Sequence, residues 1–240
     1  MTTYIGFAYM YDQLMKDIPY EAWASYIDDT LVRHLGENRQ GRIVVDMACG
    51  TGIITLALAK LGYDMIGIDI SADMLSQAQA KTLGENILYL AQDMRQLDLY
   101  GTVDAAICTC DGLNYILDEG ELAAIFAKVK MFMNPGGIFI FDMNTEYKFQ
   151  EVLGGKSFIA KGVEWDNHYD PATKINKYHV VFTPKDEPAF EEVHHQRAYA
   201  HDMVCNLLQN AGFATIQTYD SYSHDPISPS STRYVFIASL

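Results

Sequence analysis

The chain has 240 residues, 49% hydrophobic and 20% charged, a balance that fits one large folded domain, or one with an inserted subdomain, and excludes a disordered or fibrous chain. Surface-to-size scaling removes about 70% of the unfolded chain's surface from water, enough for a full core. The formal net charge of −14 repels phosphate backbones and anionic membranes and argues against a general nucleic-acid binder.

The first residues show no basic segment leading into a long apolar run, so no signal peptide is read. No apolar run approaches the ~18 residues of a membrane span. Cys49, Cys108, Cys110 and Cys205 show no disulfide spacing, which points to a reducing cytoplasm. Cys108 and Cys110, two apart in an apolar run, are expected on one face of a core strand.

The first 35 residues are rich in aromatics: Tyr4, Phe7, Tyr9, Tyr11, Tyr20, Trp23 and Tyr26. Pro19 suits a first helical turn, Trp23, Tyr26, Ile27, Leu31 and Leu35 recur at helical spacing, and Gly36 ends the segment. Residues 42–47 read as a strand, 53–61 as a helix stopped by Gly62, and 64–70 as a second strand. Ser71 caps a helix carrying Met74, Leu75 and Ala78. Residues 87–91 and 103–110 are further strands. Leu122, Ile125, Phe126, Val129 and Met133 mark a helix closed by Asn134-Pro135-Gly136-Gly137, and 138–143 is the next strand. This alternation predicts βαβ units around a parallel sheet.

The rhythm breaks between Asn144 and about Ala200. Three alternating runs follow: Ile159, Val163, Trp165, Asn167 and Tyr169; then Tyr178, Val180 and Phe182; then Val193, His195, Arg197 and Tyr199. They read as an antiparallel insertion whose first pair turns at Asp170-Pro171-Ala172-Thr173. Met203, Leu207, Leu208 and Ala211 then form a helix stopped by Gly212, and strands near 214–219 and 233–238 close the sheet as an edge hairpin. The expected organisation is an α/β domain from 1–144 and 200–240, capped by helical residues 1–36, with a β-strand lid from 145–199.

The loop Val44-Val45-Asp46-Met47-Ala48-Cys49-Gly50-Thr51-Gly52 joins the first strand to its helix, at the strand end where open sheets bind ligands. Glycines there can equally serve only the turn. Two more acids favour a ligand: Asp69 ends the second strand, placed to accept ribose hydroxyls, and Asp93-Met94 follows the third, suited to an adenine ring and its amino group. The loop lacks the third glycine of a dinucleotide fingerprint, and Asp46 would repel a pyrophosphate. The same acid suits an ammonium. A ligand with an amino-acid end and an adenosine end satisfies both acids, which points to S-adenosylmethionine.

The segments VVDMACGTG, GIDIS with Asp73-Met74-Leu75, Gln92-Asp93-Met94, VDAAICTCDGLNYIL, NPGGIFIFDMN and NAGF, in that order, resemble class I S-adenosylmethionine-dependent methyltransferases across residues 40–240. The leading FAYMYDQLM resembles a small bacterial subgroup with a β-lid inserted after the fifth strand. The resemblance implies a Rossmann-like fold with a seven-stranded, mostly parallel sheet of order 3-2-1-4-5-7-6. It also implies S-adenosylmethionine as cofactor. One departure is Ala48, where the family usually has the first of three glycines. By position, Ala48, Gly50 and Gly52 would form the methionine-end loop, Asp46 would lie near the amino group, and Asp69 would bind ribose. Asp93 and Met94 would hold the adenine, with Ile70 and Met74 packed near it. Cys110 would offer its carbonyl to the ammonium, and Tyr11 would close over the cofactor.

Methyl transfer needs chiefly a nucleophile held in line in a water-poor pocket, plus a general base where a proton must leave. Base candidates are Asp111, Asn114, Asp142, Asn144, His168, His195 and His201, with Asp111, Asn114 and His168 foremost. Asn114 and Tyr115 lie where family members often meet substrate, and Trp165, Tyr169, Tyr178 and Arg197 are lid candidates for the acceptor. His194-His195 and His201 have no carboxylate or cysteine at ligand spacing, so no metal is assigned. No Asn/Asp-Pro-Pro-Tyr/Phe stretch follows the fourth strand, which disfavours nucleobase or glutamine acceptors. The expectation is methylation of an O or N nucleophile on a small-molecule or protein acceptor, by a cytoplasmic monomer or homodimer. A cofactor-binding interaction protein without turnover and a nicotinamide-dependent oxidoreductase are the alternatives.

Overall fold

A computed structural model describes residues 8–160, 162–183 and 188–240. Tyr4 and Phe7, counted above among the leading aromatics, lie outside them. The leading segment is two helices, α1 (Ala8–Leu14) and α2 (Tyr20–Leu35), joined by a single turn, with Pro19 at the N-cap of α2. The apolar stripe of α2 buries Trp23, Ile27 and Leu31.

Alternation then produces β1 (Ile43–Met47), α3 (Ile53–Leu61), β2 (Asp64–Asp69), α4 (Ala72–Lys81), β3 (Ile87–Ala91), β4 (Val103–Cys108), α5 (Glu119–Phe132) and β5 (Met133–Asn144). The caps follow the local chemistry. Ser71 accepts from the Met74 amide, Asp118 from the Glu121 amide, and Gly62 closes α3 in the left-handed region at φ 106°. After the insertion come α6 (His201–Ala211), β10 (Thr215–Asp220) and β11 (Arg233–Ser239). The main sheet has the order β10-β11-β5-β4-β1-β2-β3. The pairs from β5 through β3 are parallel, and β11 pairs antiparallel with both β5 and β10. This is the order that the resemblance implies, with the last two strands as the edge hairpin.

Continuous apolar runs on the central strands bury both faces. One face packs Phe126, Phe139, Phe141 and Phe236 beneath α5 and α6; the other packs Ile27, Leu31, Leu58, Ile107 and Ile140 beneath α2 and α3. The carboxyl ends of β1, β2 and β4 therefore open onto a common edge held by a rigid platform.

Three local expectations differ. The insertion has four strands, not three: β6 (Ser157–Ala160), β7 (Val163–Asp170), β8 (Ile175–Phe182) and β9 (Phe190–Arg197), in that spatial order. The first alternating run folds back on itself next to Gly162, whose φ of +78° suits a tight reversal. β4 stops at Cys108, and Cys110 takes φ 56°, so the two cysteines do not share a strand face. α5 ends at Phe132 and β5 begins at Met133, but its pairing with β4 shifts register across Asn134–Gly137, where Gly136 takes φ +74°, and resumes at Ile138.

Candidate cofactor and acceptor site

A cavity of about 310 Å³ opens at the carboxyl ends of the parallel strands. Of the eleven residues expected around the cofactor, nine line it: Tyr11, Ala48, Gly50, Asp69, Ile70, Met74, Asp93, Met94 and Cys110. Gln92, Arg95, Thr109, Gly112, Tyr115 and Ile116 complete the wall. Arg95 stands next to the Asp93-Met94 pair and was within reach of a sequence argument. Ile116 was not, because it arrives only after the turn at residues 112–115 that follows β4.

The loop after β1 turns through left-handed backbone. Gly50 has φ +56° with open space where a Cβ would stand, so ligand can approach the main chain. Gly52 does not line the cavity: at φ +74° a Cβ there would meet the Tyr89 hydroxyl at 2.6 Å, so it serves the close packing of α3 on β3. Ala48 at φ 58°, Cys110 at φ 56° and Asp111 at φ 54° are all left-handed without being glycine. Such strain costs roughly 1–2 kcal/mol per residue and gathers at functional sites.

The two acids of the loop differ. Asp69 accepts from the Gly50 amide and the Ser71 amide, each at 2.8 Å, so its carboxylate is fixed in the wall. Burial raises its pKa against those backbone bonds. Asp46 does not line the cavity but lies beneath the loop, 1% exposed, with one oxygen held by Thr55 at 2.6 Å and the other without a hydrogen-bond partner among the described residues. Burial pushes its pKa up to about 7, against the Thr55 bond and with some help from Asp69. An acid that is easier to protonate folded than unfolded loses stability as pH rises from about 4 to about 7. Asp46→Asn is expected to remove that loss, worth up to about 4 kcal/mol at about pH 8, read as the difference between urea unfolding curves of variant and native protein across pH.

α1 is docked on this loop by a polar clamp. The Thr51 hydroxyl donates to Asp12 at 2.6 Å, and Lys81 of α4 pairs with Asp12 at 2.5 Å. The clamp holds Tyr11 over the cavity. Burial, then the neighbouring Cys110 and Tyr20, raise the Tyr11 pKa well above the ordinary phenol value, so it remains a neutral donor. Asp12→Ala is expected to speed dissociation of a ligand bound beneath α1 about tenfold, measured by stopped-flow displacement.

Behind Cys110 lies a buried ionic cluster. Arg233 pairs with Asp111 at 2.8 Å and with Asp142, and Asp142 also accepts from the Cys110 and Asp111 amides and from Tyr222. Gln196 of the lid donates to Asp111 and accepts from Tyr178 at 3.1 Å. Asp111 thus fastens the lid to β11.

The other expected acceptor residues are dispersed. Asn114 is wholly buried and joins β5 to β9, through Asn144 and the Arg197 carbonyl. Arg197 turns outward to the Leu117 carbonyl and Glu119. Trp165 stacks on Phe158, and Tyr169 packs on Phe149 and donates to Glu146. His168 and His195 lie on the exposed face of the lid, and His201 sits on α6 beside Cys205 and Thr218. Of the acceptor candidates, only Tyr115 lines the cavity. Among the described residues no group of three or more His, Cys, Asp or Glu could hold a metal, and no helix is long and apolar enough to cross a membrane.

The chemistry of this wall fits S-adenosylmethionine. Arg95, the cationic side chain of the wall, is already bound to Asp93 at 2.6 Å and leaves no free positive charge for a pyrophosphate, while the Asp69 carboxylate faces the cavity. A pyrophosphate would meet acids. Ile70, 52% exposed, Met74 and Met94 offer apolar surface to a base.

The profile of the family described as "Methyltransferase domain" matches residues 44–137. A putative methyltransferase of Bacillus subtilis (strain 168) is 32% identical, over 98% of this chain and 96% of its own length. Another, from Geobacillus sp. (strain WCH70), is 30% identical, over 98% and 99%. The crystal structure of an S-adenosylmethionine-dependent methyltransferase from Clostridium acetobutylicum ATCC 824 superimposes with a TM-score of 0.87 at 29% identity, covering 98% of this chain and 97% of that one.

Proposed function

Because the chain belongs to the class I S-adenosylmethionine-dependent methyltransferases, we propose that it methylates an N or O nucleophile of a small-molecule acceptor that enters beside Tyr115, under the lid. The observation that carries this reading is the cavity itself, where the glycine loop, Asp69, Asp93 and Tyr115 share one wall. S-adenosylmethionine, when bound, supplies an electrophilic methyl on a sulfonium.

The protein's part is binding, orientation and exclusion of water. The Gly50 main chain would receive the amino-acid end, with Asp46 beneath the loop and out of contact with it. Asp69, held by two backbone amides, would accept from the ribose hydroxyls. Ile70, Met74 and Met94 would cover the base, with Asp93 at its edge. Tyr11 on α1 would cover the opposite side, and the lid would keep water from the reacting end. The inserted residues 145–199 would act as the acceptor-selecting subdomain.

Calorimetric titration with S-adenosylmethionine, S-adenosylhomocysteine and NAD tests the cofactor assignment. Micromolar binding of the first two without NAD supports it, and binding of NAD alone overturns it. Transfer of labelled methyl to a defined small molecule then distinguishes an enzyme from a binding protein without turnover.

A further inference from the structure

The lid carries a buried polar chain that the cofactor reading does not use. β9 alternates so that Glu192, His194 and Gln196 face inward while Glu191, Val193 and His195 face solvent. His194 is 5% exposed, and the Glu192 side chain is 10% exposed. Glu192 Oε2 lies 3.1 Å from His194 Nε2, and the Tyr115 hydroxyl lies 3.4 Å from His194 Nδ1. The imidazole meets the Tyr115 ring edge-on, with centroids 6.0 Å apart. Tyr115 in turn lines the cavity. An ionised carboxylate only accepts, so Glu192 places the neutral ring's hydrogen on Nε2 and turns the Nδ1 lone pair to the phenol. A phenol whose hydrogen goes to Nδ1 presents its oxygen as an acceptor rather than a donor. Burying a carboxylate and an imidazole on a lid strand is costly unless they pair, and here they pair in a line that ends at Tyr115 on the cavity wall.

We propose that Tyr115, His194 and Glu192 form the proton relay of the methyl acceptor, an amine or hydroxyl compound that arrives with its proton. This rests on the cavity being the S-adenosylmethionine site. As the nucleophile's new bond to the methyl carbon replaces the carbon–sulfur bond, whose electron pair stays on sulfur, its proton passes to Tyr115 Oη. The phenolic proton passes to His194 Nδ1, and Glu192 holds the imidazolium. His194 is faced by Glu192 on its own strand, by Tyr178, its register partner on β8, and by Tyr115 on the turn before α5. Asp111 and Arg233 stand beyond, reached from Tyr178 through Gln196.

Sinefungin tests the relay without an identified acceptor, because an amino group on carbon replaces the sulfur and its methyl. Its ammonium would point where the acceptor nucleophile stands. The ratio of sinefungin to S-adenosylhomocysteine affinity is read by calorimetry at one pH in the native protein, in Tyr115→Phe and in His194→Phe. Where His194 Nδ1 takes the phenolic hydrogen, the Tyr115 oxygen accepts from the ammonium. The ratio is expected to fall about tenfold in Tyr115→Phe, which removes the accepting oxygen, and at least about threefold in His194→Phe, which frees the phenol to turn its hydrogen to the cavity. S-adenosylhomocysteine binding in each variant reports its folding. An unchanged ratio in either variant that binds S-adenosylhomocysteine overturns the relay. Failure of the native protein to bind S-adenosylhomocysteine overturns the cofactor reading and the relay with it.

Discussion

Asp69→Asn is expected to raise the dissociation constant of S-adenosylhomocysteine about 100-fold, while unfolding stability at neutral pH changes by no more than about 1 kcal/mol. The native carboxylate accepts from the Gly50 and Ser71 amides at 2.8 Å and still has lone pairs for two ribose hydroxyls. The isosteric amide keeps one accepting oxygen and turns its NH₂ to a backbone donor. One loop bond is lost, and one hydroxyl loses a charge-assisted partner, each worth about 1.5–3 kcal/mol in a water-poor wall. Stability changes little because the substitution also removes a carboxylate that burial disfavours. Asp64→Asn, at the exposed opposite end of β2, serves as the control and is expected to leave the affinity within about twofold. Equal titrations of Asp69→Asn and native protein would remove Asp69 from the cofactor site.

Arg233→Met is expected to destabilise the fold by about 3–5 kcal/mol, a fall of about 10 °C in Tm for a chain of this size. Arg233 is 8% exposed, Asp142 is fully buried, and the guanidinium also lies over the Trp23 ring, 5.2 Å from its centroid. Burial works against its charge, but Asp142 and Asp111 outweigh that and hold its pKa well above the ordinary value. Removing the cation leaves two carboxylates facing each other in a dry interior. Combining Arg233→Met with Asp111→Asn and Asp142→Asn is expected to recover much of the loss, because the apolar and amide set has no unpaired charge. Calorimetric unfolding of the native protein, the single variant and the triple variant checks both steps. A loss below about 1 kcal/mol in the single variant would mean that water reaches the cluster. The cluster ties the turn after β4, the end of β5, the start of β11 and the lid, so its failure would also loosen the Tyr115 side of the cavity.

The sheet and the cavity wall were legible for the same reason. Central strands buried on both faces read as apolar runs, helices read as periodic stripes, and the wall is assembled from short segments that each follow a strand. Asp69, Asp93-Met94 and the loop through Gly50 keep fixed positions relative to β2, β3 and β1, so spacing alone brings them to one edge. Gly52 was misplaced because a glycine in such a loop looks the same whether it meets a ligand or, as here, the Tyr89 hydroxyl. The fourth lid strand was missed because Ile159 and Val163 kept an unbroken alternation across the reversal beside Gly162.

The acceptor side depends on meetings between distant parts of the chain. His194 and Tyr115 are 79 residues apart, and Arg233 and Asp111 are 122 apart. His194 and His195 are indistinguishable in a sequence; the register of β9 against β8 buries the first beside Tyr178 and leaves the second in solvent. Arg197, a plausible lining group by alternation, is drawn outward by the Leu117 carbonyl and Glu119. The sequence by itself determined the alternation of strands and helices and the strand ends that carry the cavity loops, because local periodicity and loop chemistry specify both, while the strand order came from the resemblance of its motifs to a known family. Only the tertiary structure decided which lid side chains turn inward, because a one-residue change of register reverses every side chain on a strand.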